Sequence, residues 1–309
     1  MSDLIINWLA FTPIFAVPLA LAALGLIINE RAGVLNLGAE GIMLCGALAG
    51  VAVFMELGSN LLIAMIGAML AGAVISALFA FMVVVLRANQ VVTGITLVFF
   101  CSGLTGLIGT SWTDKAVRGF TGMDLGWLST LPGVGKIVFS QDPMVYLTVL
   151  IAIAVWYALY RTNLGLRLRS VGENPQAADA AGLNIEAYRF FAVVAGGMLI
   201  GLAGGYLSLA AAKIWVVDMT YGRGWIAIAL VIFARWMPGR AILGALIFGG
   251  IEALIPRILA TGAAVPQYFL QMTPYVATLI VLIYAAASSR VRSEAPAGLG
   301  EPYVREDRH

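Results

Sequence analysis

Long apolar runs separated by short polar stretches dominate the sequence. They lie near residues 7–28, 40–57, 61–86, 90–110, 143–160, 188–211, 224–236, 241–259 and 275–289. Most are close to the ~20 residues that an α-helix needs to cross a bilayer, whereas barrel strands are about 10 residues long and alternate strictly. The pattern predicts an all-α, polytopic bundle of about nine spans, of which the seventh is short.

Composition agrees with a membrane protein and narrows the chemistry. The chain has 309 residues, of which 61% are hydrophobic and 11% are charged, against about 25% charged in soluble domains. The net charge of +2 gives no basis for nucleic-acid binding. Cys45 and Cys101 both lie in apolar runs, so we expect no disulfide framework. The single histidine, His309, argues against a histidine-based catalytic, metal or proton-relay site in the spans.

The Lys and Arg residues between spans predict the orientation. If the loop 161–187 is placed in the cytoplasm, roughly twice as many of these residues lie on the cytoplasmic side as on the outside. The N-terminus is then outside and the tail 290–309 is inside. The first run lacks a basic region and a cleavage site, and we interpret it as a span rather than a signal peptide.

Two polar, glycine-containing stretches interrupt the runs at equivalent places. They are residues 29–41 and 213–224, and each follows one span and precedes three. One span, 143–160, separates the two four-span units. Because the number of spans between them is odd, the two units must have opposite orientations in the membrane. The sequence thus predicts an inverted repeat of about 7–110 and 188–289 within one transmembrane domain, 1–289. Broken segments at matching positions of such repeats point to the substrate path.

The first interruption carries Asn36 and Glu40. Four residues apart, they share a face if the segment is helical. An ionisable group at membrane depth is interpreted as functional by default, so both side chains are candidates for lining a polar cavity and hydrogen-bonding a hydroxylated solute. The alternative is structural: Glu40 pairs with Arg31 or caps a half-helix at the cytoplasmic end.

Four further side chains are candidates for the substrate pathway: Gln90, Thr93, Trp225 and Glu252. Glu252 lies inside the eighth run, where it either touches the pathway or pairs with Arg257. Trp225, with Trp215 and Tyr221, forms either an interfacial aromatic belt or a stacking platform, and the belt is the more common arrangement.

The loop 161–187 is the longest polar stretch between spans on the predicted cytoplasmic side. Pro175 is suited to the first turn of a short helix, with Asn174 as its N-cap and Gly182 as its terminator. A rigid surface helix between two spans would suit docking of a cytoplasmic partner. The alternative is a solvated loop without such a role.

Five blocks of sequence resemble nucleoside-type ABC permeases, within the larger group of branched-chain amino acid and ribose permeases. They occur in family order at residues 30–43 (ERAGVLNLGAEGIM), 87–94 (RANQVVTG), 165–182, 222–236 and 299–303 (LGEPY). The resemblance implies a type II-like importer permease that works by alternating access in the bacterial inner membrane. One departure is Val98, where the family pattern has an asparagine.

The resemblance also implies partners. They are a second, homologous permease chain, a cytoplasmic ATPase that binds ATP and Mg²⁺, a periplasmic or lipid-anchored substrate-binding protein, and membrane lipid. The chain itself needs no cofactor and has no phosphate-binding loop motif. By resemblance, the residues that couple to the ATPase are Gly165, Leu166, Arg167, Arg169, Gly172, Glu173, Asn174 and Pro175.

A secondary transporter or channel for a small polar solute, driven by an ion gradient, is the alternative function. It would use Glu40, Asp218 and Glu252 as ion or proton sites, and it would need no docking helix. An intramembrane enzyme is a weaker alternative, because the spans contain no histidine and no nucleophile–base pair.

Overall fold

The computed structural model describes residues 2–113, 115–123, 126–129, 131, 133–260, 266–287 and 294–303. The α-helices within these ranges are α1 (Ser2–Arg31), α2 (Ala39–Glu56), α3 (Leu61–Ala80), α4 (Gln90–Gly109), α5 (Pro143–Arg161), α6 (Asn163–Glu173), α7 (Pro175–Ala180), α8 (Ile185–Tyr206), α9 (Arg223–Phe233), α10 (Pro238–Ala260) and α11 (Gln267–Ala287). Short 3₁₀ or π turns extend three of them, at Phe81–Val85, Thr110–Trp112 and Leu207–Ala211.

The all-helical membrane architecture is confirmed. Among the described residues, seven helices are long and apolar enough to cross a bilayer: α1 to α5, α8 and α10. Helix α9 has 11 residues, about 16 Å at 1.5 Å per residue, which is roughly half of a ~30 Å hydrocarbon core. The seventh run is therefore short, as predicted, while the total of nine spans stays a prediction.

Helices α1 and α8 form the centre of the bundle. Helix α1 packs against α8, α9 and α10, and α8 packs against α1, α2 and α3. Glycines permit this close approach: a Cβ at Gly72 would clash with the main chain at Gly197, and one at Gly25 with the main chain at Gly196. Such contacts between small residues are typical of membrane helices, which associate without a hydrophobic driving force.

The segment 161–187 is helical over most of its length. The predicted short helix is confirmed as α7: Asn174 Oδ1 accepts the Ala177 N–H at 2.9 Å, Pro175 is its first residue, and Gly182 follows it with φ +82°. Helix α6 was not predicted from the sequence. It turns Leu168 inward, and its N-cap is Thr162. Alternating Leu and Arg residues at 166–169 obscure its helical period.

Candidate functional site

Two non-helical segments each connect a long helix to the shorter helix that follows it in the chain. The first broken segment, 32–38, joins α1 to α2, and it runs along α4. The Leu35 N–H donates to Gln90 Oε1 at 2.7 Å, at the first residue of α4. A Cβ at Gly41 would lie 3.0 Å from the Val98 Cα and 2.9 Å from the Cys101 Cβ. Those residues lie 8 and 11 positions along α4, about 12–16 Å from its start, so α2 begins beside the middle of α4.

The second broken segment, 212–222, joins α8 to α9. It approaches the middle of α4 from the C-terminal end of that helix. The Val117 N–H donates to the Lys213 carbonyl oxygen at 2.9 Å, and Trp215 bridges to Thr113. Ser102, in the middle of α4, donates its hydroxyl to Asp218 Oδ1 at 2.7 Å. Both broken segments thus end near the midpoint of α4.

Glu40 joins the two broken segments where they meet. Its Oε1 accepts the Gly222 N–H at 2.7 Å, and its Oε2 accepts the Gly224 N–H at 2.6 Å. The carboxylate is buried and lies at the N-terminal ends of both α2 and α9. A helix N-terminus has unpaired N–H groups and a positive end of its dipole, so one carboxylate stabilises both.

Glycines make this junction possible. Gly222 has φ +77°, a left-handed conformation that only glycine adopts without strain. A Cβ at Gly224 would lie 2.5 Å from the Glu40 Cα. The start of α9 therefore fits against α2 only without a side chain at Gly224, and a Cβ at Gly222 would lie 2.6 Å from the Tyr275 hydroxyl oxygen.

Two expectations about the first broken segment are wrong. Glu40 does not pair with Arg31, whose guanidinium donates instead to the Trp236 carbonyl oxygen at 3.5 Å. Asn36 does not share a helical face with Glu40, because α2 begins only at Ala39. The fully buried Asn36 folds back on its own segment, and its Oδ1 accepts the Gly38 N–H at 3.0 Å. Glu40 does cap a half-helix, but it caps α9 rather than one at the predicted cytoplasmic end.

Asn36 retains an unused donor. Its Nδ2 has no hydrogen-bond partner among the described residues. Gln90 and Thr93 are buried as well: Gln90 holds the first broken segment through Leu35, and Thr93 precedes Gly94, which packs directly on Leu37. These residues surround the segment rather than forming an exposed wall.

Glu252 pairs with Arg223, not with Arg257. Its Oε2 accepts from Arg223 Nη2 at 2.8 Å and from Nε at 3.2 Å, which links α10 to the first residue of α9. Arg257 donates to the main-chain carbonyls of Ala253 and Asn7. Both members of the Arg223–Glu252 pair are largely buried, with side chains 17% and 8% exposed.

A polar and aromatic surface lies beside the junction. We define it as the junction patch: Ser102, Asp218, Tyr221, Trp225 and Tyr275. Tyr221, Tyr275 and Trp225 are 65%, 42% and 39% exposed, Asp218 is exposed, and the Tyr275 hydroxyl donates to the Tyr221 carbonyl oxygen.

Two aromatic residues of this region differ from the sequence-based prediction. Trp215 is fully buried against Gly109 and does not belong to an interfacial belt. Tyr275 was missed, because nothing in its own apolar run sets it apart.

The coupling residues named from the resemblance fall into an exposed and a buried group. Leu166, Arg167, Glu173 and Asn174 are exposed, and Arg169 is half-buried with its guanidinium 4.9 Å from the Tyr160 ring. Gly165, Gly172 and Pro175 are buried. A Cβ at Gly165 would clash with the carbonyl oxygens that end α5, so α6 turns directly off that helix.

The segment 294–303, which we call the strap, ties α6 to the first broken segment. The Gly298 N–H donates to the Gly172 carbonyl oxygen at 2.9 Å, and the Gly300 N–H donates to the Gly33 carbonyl oxygen at 3.2 Å. Gly172 also lies directly against Gly33. Helix α6, the strap and the segment that leads to Glu40 are therefore in direct contact.

The strap reaches two further helices. Glu294 forms ion pairs with Arg235 and, at 3.6 Å, with Arg240, at the turn between α9 and α10. Arg189 of α8 donates to the Glu301 carbonyl oxygen at 2.9 Å. The strap thus connects the end of α6 to the turn between α9 and α10 and to the N-terminal part of α8.

The sequence profile of a family described as branched-chain amino acid transport system / permease component matches residues 8–286. The chain is 35% identical to the guanosine ABC transporter permease protein NupQ of Bacillus subtilis, with 95% of each chain covered. It is 38% identical to the nucleoside ABC transporter permease protein NupC of Lactococcus lactis subsp. cremoris, covering 87% of this chain and 89% of the relative. TsgC13 of Haloferax volcanii, named for a glucose ABC transporter permease, is 40% identical over 94% and 95% of the two chains.

A solved structure shares the fold. It is an inward-facing ABC transporter of the metal-chelate type, with a TM-score of 0.53 and 15% identity, covering 89% of this chain and 84% of that chain. At this identity the likeness concerns the fold alone. The family match over nearly the whole length and the two nucleoside-type relatives identify this multi-pass membrane protein as a member of the branched-chain amino acid transport system / permease component family, the permease component of an ABC importer.

Proposed function

We propose that the chain forms one half of a nucleoside pathway in an ABC importer of the bacterial inner membrane. The observation that carries the proposal is the junction at Glu40, where α2 and the short α9 both begin beside the middle of α4. Broken helices whose N-termini meet near the membrane midplane are the usual site of solute binding in transporters. Two of the three relatives described above are named for nucleosides or guanosine.

The junction patch supports a pathway wall rather than a lipid-facing surface. Asp218 is exposed and bonds to Ser102 in the middle of α4, and a carboxylate there is costly next to lipid. A polar path shared with a second, homologous permease chain removes that cost. The rings of Tyr221, Trp225 and Tyr275 present flat apolar faces together with polar atoms, which suits a nucleobase joined to a ribose.

Other side chains hold this wall in place. Glu40 binds α9, and Gln90 and Thr93 surround the first broken segment. Asn36 is fully buried in this conformation, and its Nδ2 is a donor without a partner in the described residues. It is the candidate among them for contact with solute when alternating access moves the first broken segment. Glu252 fixes Arg223 at the start of α9.

The α6–α7 segment supports coupling to a separate ATPase. Leu166 and Glu173 project from a surface whose buried side, at Gly172, touches the first broken segment. ATP-driven movement of α6 would pass through Gly33 to Glu40 and so to the start of α9. Alternating access follows, with ATP hydrolysed in the partner subunit and solute delivered from outside by a binding protein.

The helix packing supports the inverted repeat. Exchanging units 7–110 and 188–289 exchanges α1 with α8, α2 with α9, α3 with α10 and α4 with α11. Helix α3 packs on α8 as α10 packs on α1, and α2 packs on α4 as α9 packs on α11. Superposing the two units after a two-fold rotation in the membrane plane tests this; helices that fail to overlap would refute it.

The orientation is part of the proposal. The strap and α6 lie on one side of the bundle because they are hydrogen-bonded to each other. The concentration of arginine around them favours the cytoplasm for this side, with the N-terminus in the periplasm.

The ion-gradient alternative has less support, because its three carboxylates already have partners. Glu40 accepts two N–H groups, Glu252 pairs with Arg223, and Asp218 accepts from Ser102. A sugar importer is a second candidate, which the likeness to TsgC13 favours.

Co-purification with competition assays tests the proposal. We expect an affinity-tagged chain to bring down an ATPase and a second permease, and unlabelled guanosine, but not glucose, to compete with uptake of labelled guanosine. A transport-competent preparation without an ATP-hydrolysing subunit would contradict the ABC assignment. Competition by glucose alone would favour the sugar importer.

A further inference from the structure

An apolar groove is lined by helices that carry none of the junction patch. It runs between α5 and α8, with α1 as its floor and α6 across one end, and its volume is about 670 Å³. Its walls are almost entirely hydrocarbon and include Ile28, Val155, Ala158, Leu168 and Leu199. The proposed solute path uses none of these residues.

The groove has the length of one leaflet. Its α8 wall extends from Ala187 to Leu199, 12 residues or about 18 Å, and half of a ~30 Å hydrocarbon core is about 15 Å. This length and the almost entirely hydrocarbon lining suit an extended acyl chain.

The α6 end of the groove is basic. Leu164 and Leu168 of α6 line the groove, and the exposed Arg161 and Arg167 lie three residues before and after Leu164. The nearby carboxylate of Glu186 is engaged by Arg87 at 3.6 Å. The positive charge at the end of the groove is therefore not balanced by that carboxylate.

We propose that the groove binds one anionic phospholipid of the same leaflet. One acyl chain lies between α5 and α8, and the phosphate group sits on Arg161 and Arg167. Guanidinium groups match phosphate oxygens through paired hydrogen bonds, and the hydrocarbon walls exclude water from the chain.

The lipid would also support α6. Leu164 and Leu168 rest on the acyl chain, while Leu166 and Glu173 of the same helix face away from the bundle. The proposal does not depend on the identity of the solute, so it can fail while the nucleoside assignment stands.

Native mass spectrometry of the purified complex tests the site. The probes are phosphatidylglycerol and phosphatidylcholine with identical acyl chains, added in equal amounts after delipidation. We expect one phosphatidylglycerol to be retained in preference. Each of Arg161→Gln and Arg167→Gln should lower the ratio of retained phosphatidylglycerol to retained phosphatidylcholine about fivefold, since a basic residue near anionic lipid contributes about 1 kcal/mol.

A variant that fills the groove tests binding of the acyl chain separately from binding of the headgroup. Ala195→Phe places a ring in the groove and should remove the retained lipid whatever its headgroup. Val74→Phe adds bulk to an exposed position of α3 (67% exposed) and should leave retention unchanged; gel filtration checks that both complexes stay assembled.

Three results would overturn the proposal. The first is equal retention of the two lipids by the unmodified complex. The second is undiminished retention by assembled Ala195→Phe complex. The third is a photo-crosslinker at Leu199 that attaches to a polypeptide rather than to lipid, which would show a protein occupant.

Discussion

Replacing Glu40 tests the junction between the two broken segments. Each Glu40 oxygen accepts one N–H of the α9 start, at 2.7 and 2.6 Å. Hydrogen bonds to a charged group contribute roughly 1.5–3 kcal/mol each, so Glu40→Ala should lose about 3–6 kcal/mol. Glu40→Gln keeps one acceptor and should lose about half as much, since its amide NH₂ faces an N–H group and cannot accept from it.

The assay combines heating of the detergent-purified complex, followed by fluorescence-detected gel filtration, with uptake into vesicles. We expect Glu40→Gln to lower the midpoint of aggregation by several degrees and to reduce uptake, with Glu40→Ala more severe. Glu56→Gln, at the exposed opposite end of the same helix, is the matched control and should resemble the unmodified chain. A Glu40→Gln complex with unchanged stability and unchanged uptake would refute the idea that this carboxylate holds α9.

Four other variants follow from the same structure. Glu173→Ala removes an exposed charge from α6 and should lower solute uptake per ATP hydrolysed without disassembling the complex; an unchanged ratio would place the coupling contact elsewhere. Gly298→Val pushes a side chain against the Gly172 carbonyl oxygen, 2.9 Å from the Cβ position, and should also lower that ratio, whereas normal coupling would show that the strap is dispensable. Arg223→Met leaves Glu252 buried and unpaired, at a cost of up to about 3–5 kcal/mol, and the double variant Arg223→Met/Glu252→Met should recover thermal stability; no recovery would mean that the pair is not the dominant interaction of either residue. Asn36→Ala should raise the apparent KM for nucleoside uptake with little effect on ATPase assembly, and unchanged kinetics would remove Asn36 from the pathway.

Much of the fold is predictable because lipid imposes a simple rule. A spanning segment must satisfy its own backbone and cover ~30 Å of hydrocarbon, so run length and composition locate the helices. The short seventh run and the cap of α7 were predictable for similar local reasons: length in the first case, and Asn174 followed by Pro175 in the second.

The partners of the charged residues were not predictable, because they depend on how the broken segments fold in three dimensions. Arg31 and Arg257 are near Glu40 and Glu252 in sequence, but the broken segments bring the α9 start to both carboxylates instead. The sequence does contain a signal for this arrangement: Gly222 and Gly224 on either side of Arg223 mark a helix start that can approach another backbone closely.

ATP-driven uptake by the purified complex is the most direct test of the central claim. The complete complex, reconstituted in liposomes with its binding protein, should accumulate labelled guanosine only when ATP is supplied to the ATPase side, with accumulation abolished by a non-hydrolysable ATP analogue. Guanosine accumulation driven by a proton or sodium gradient without ATP would contradict the account.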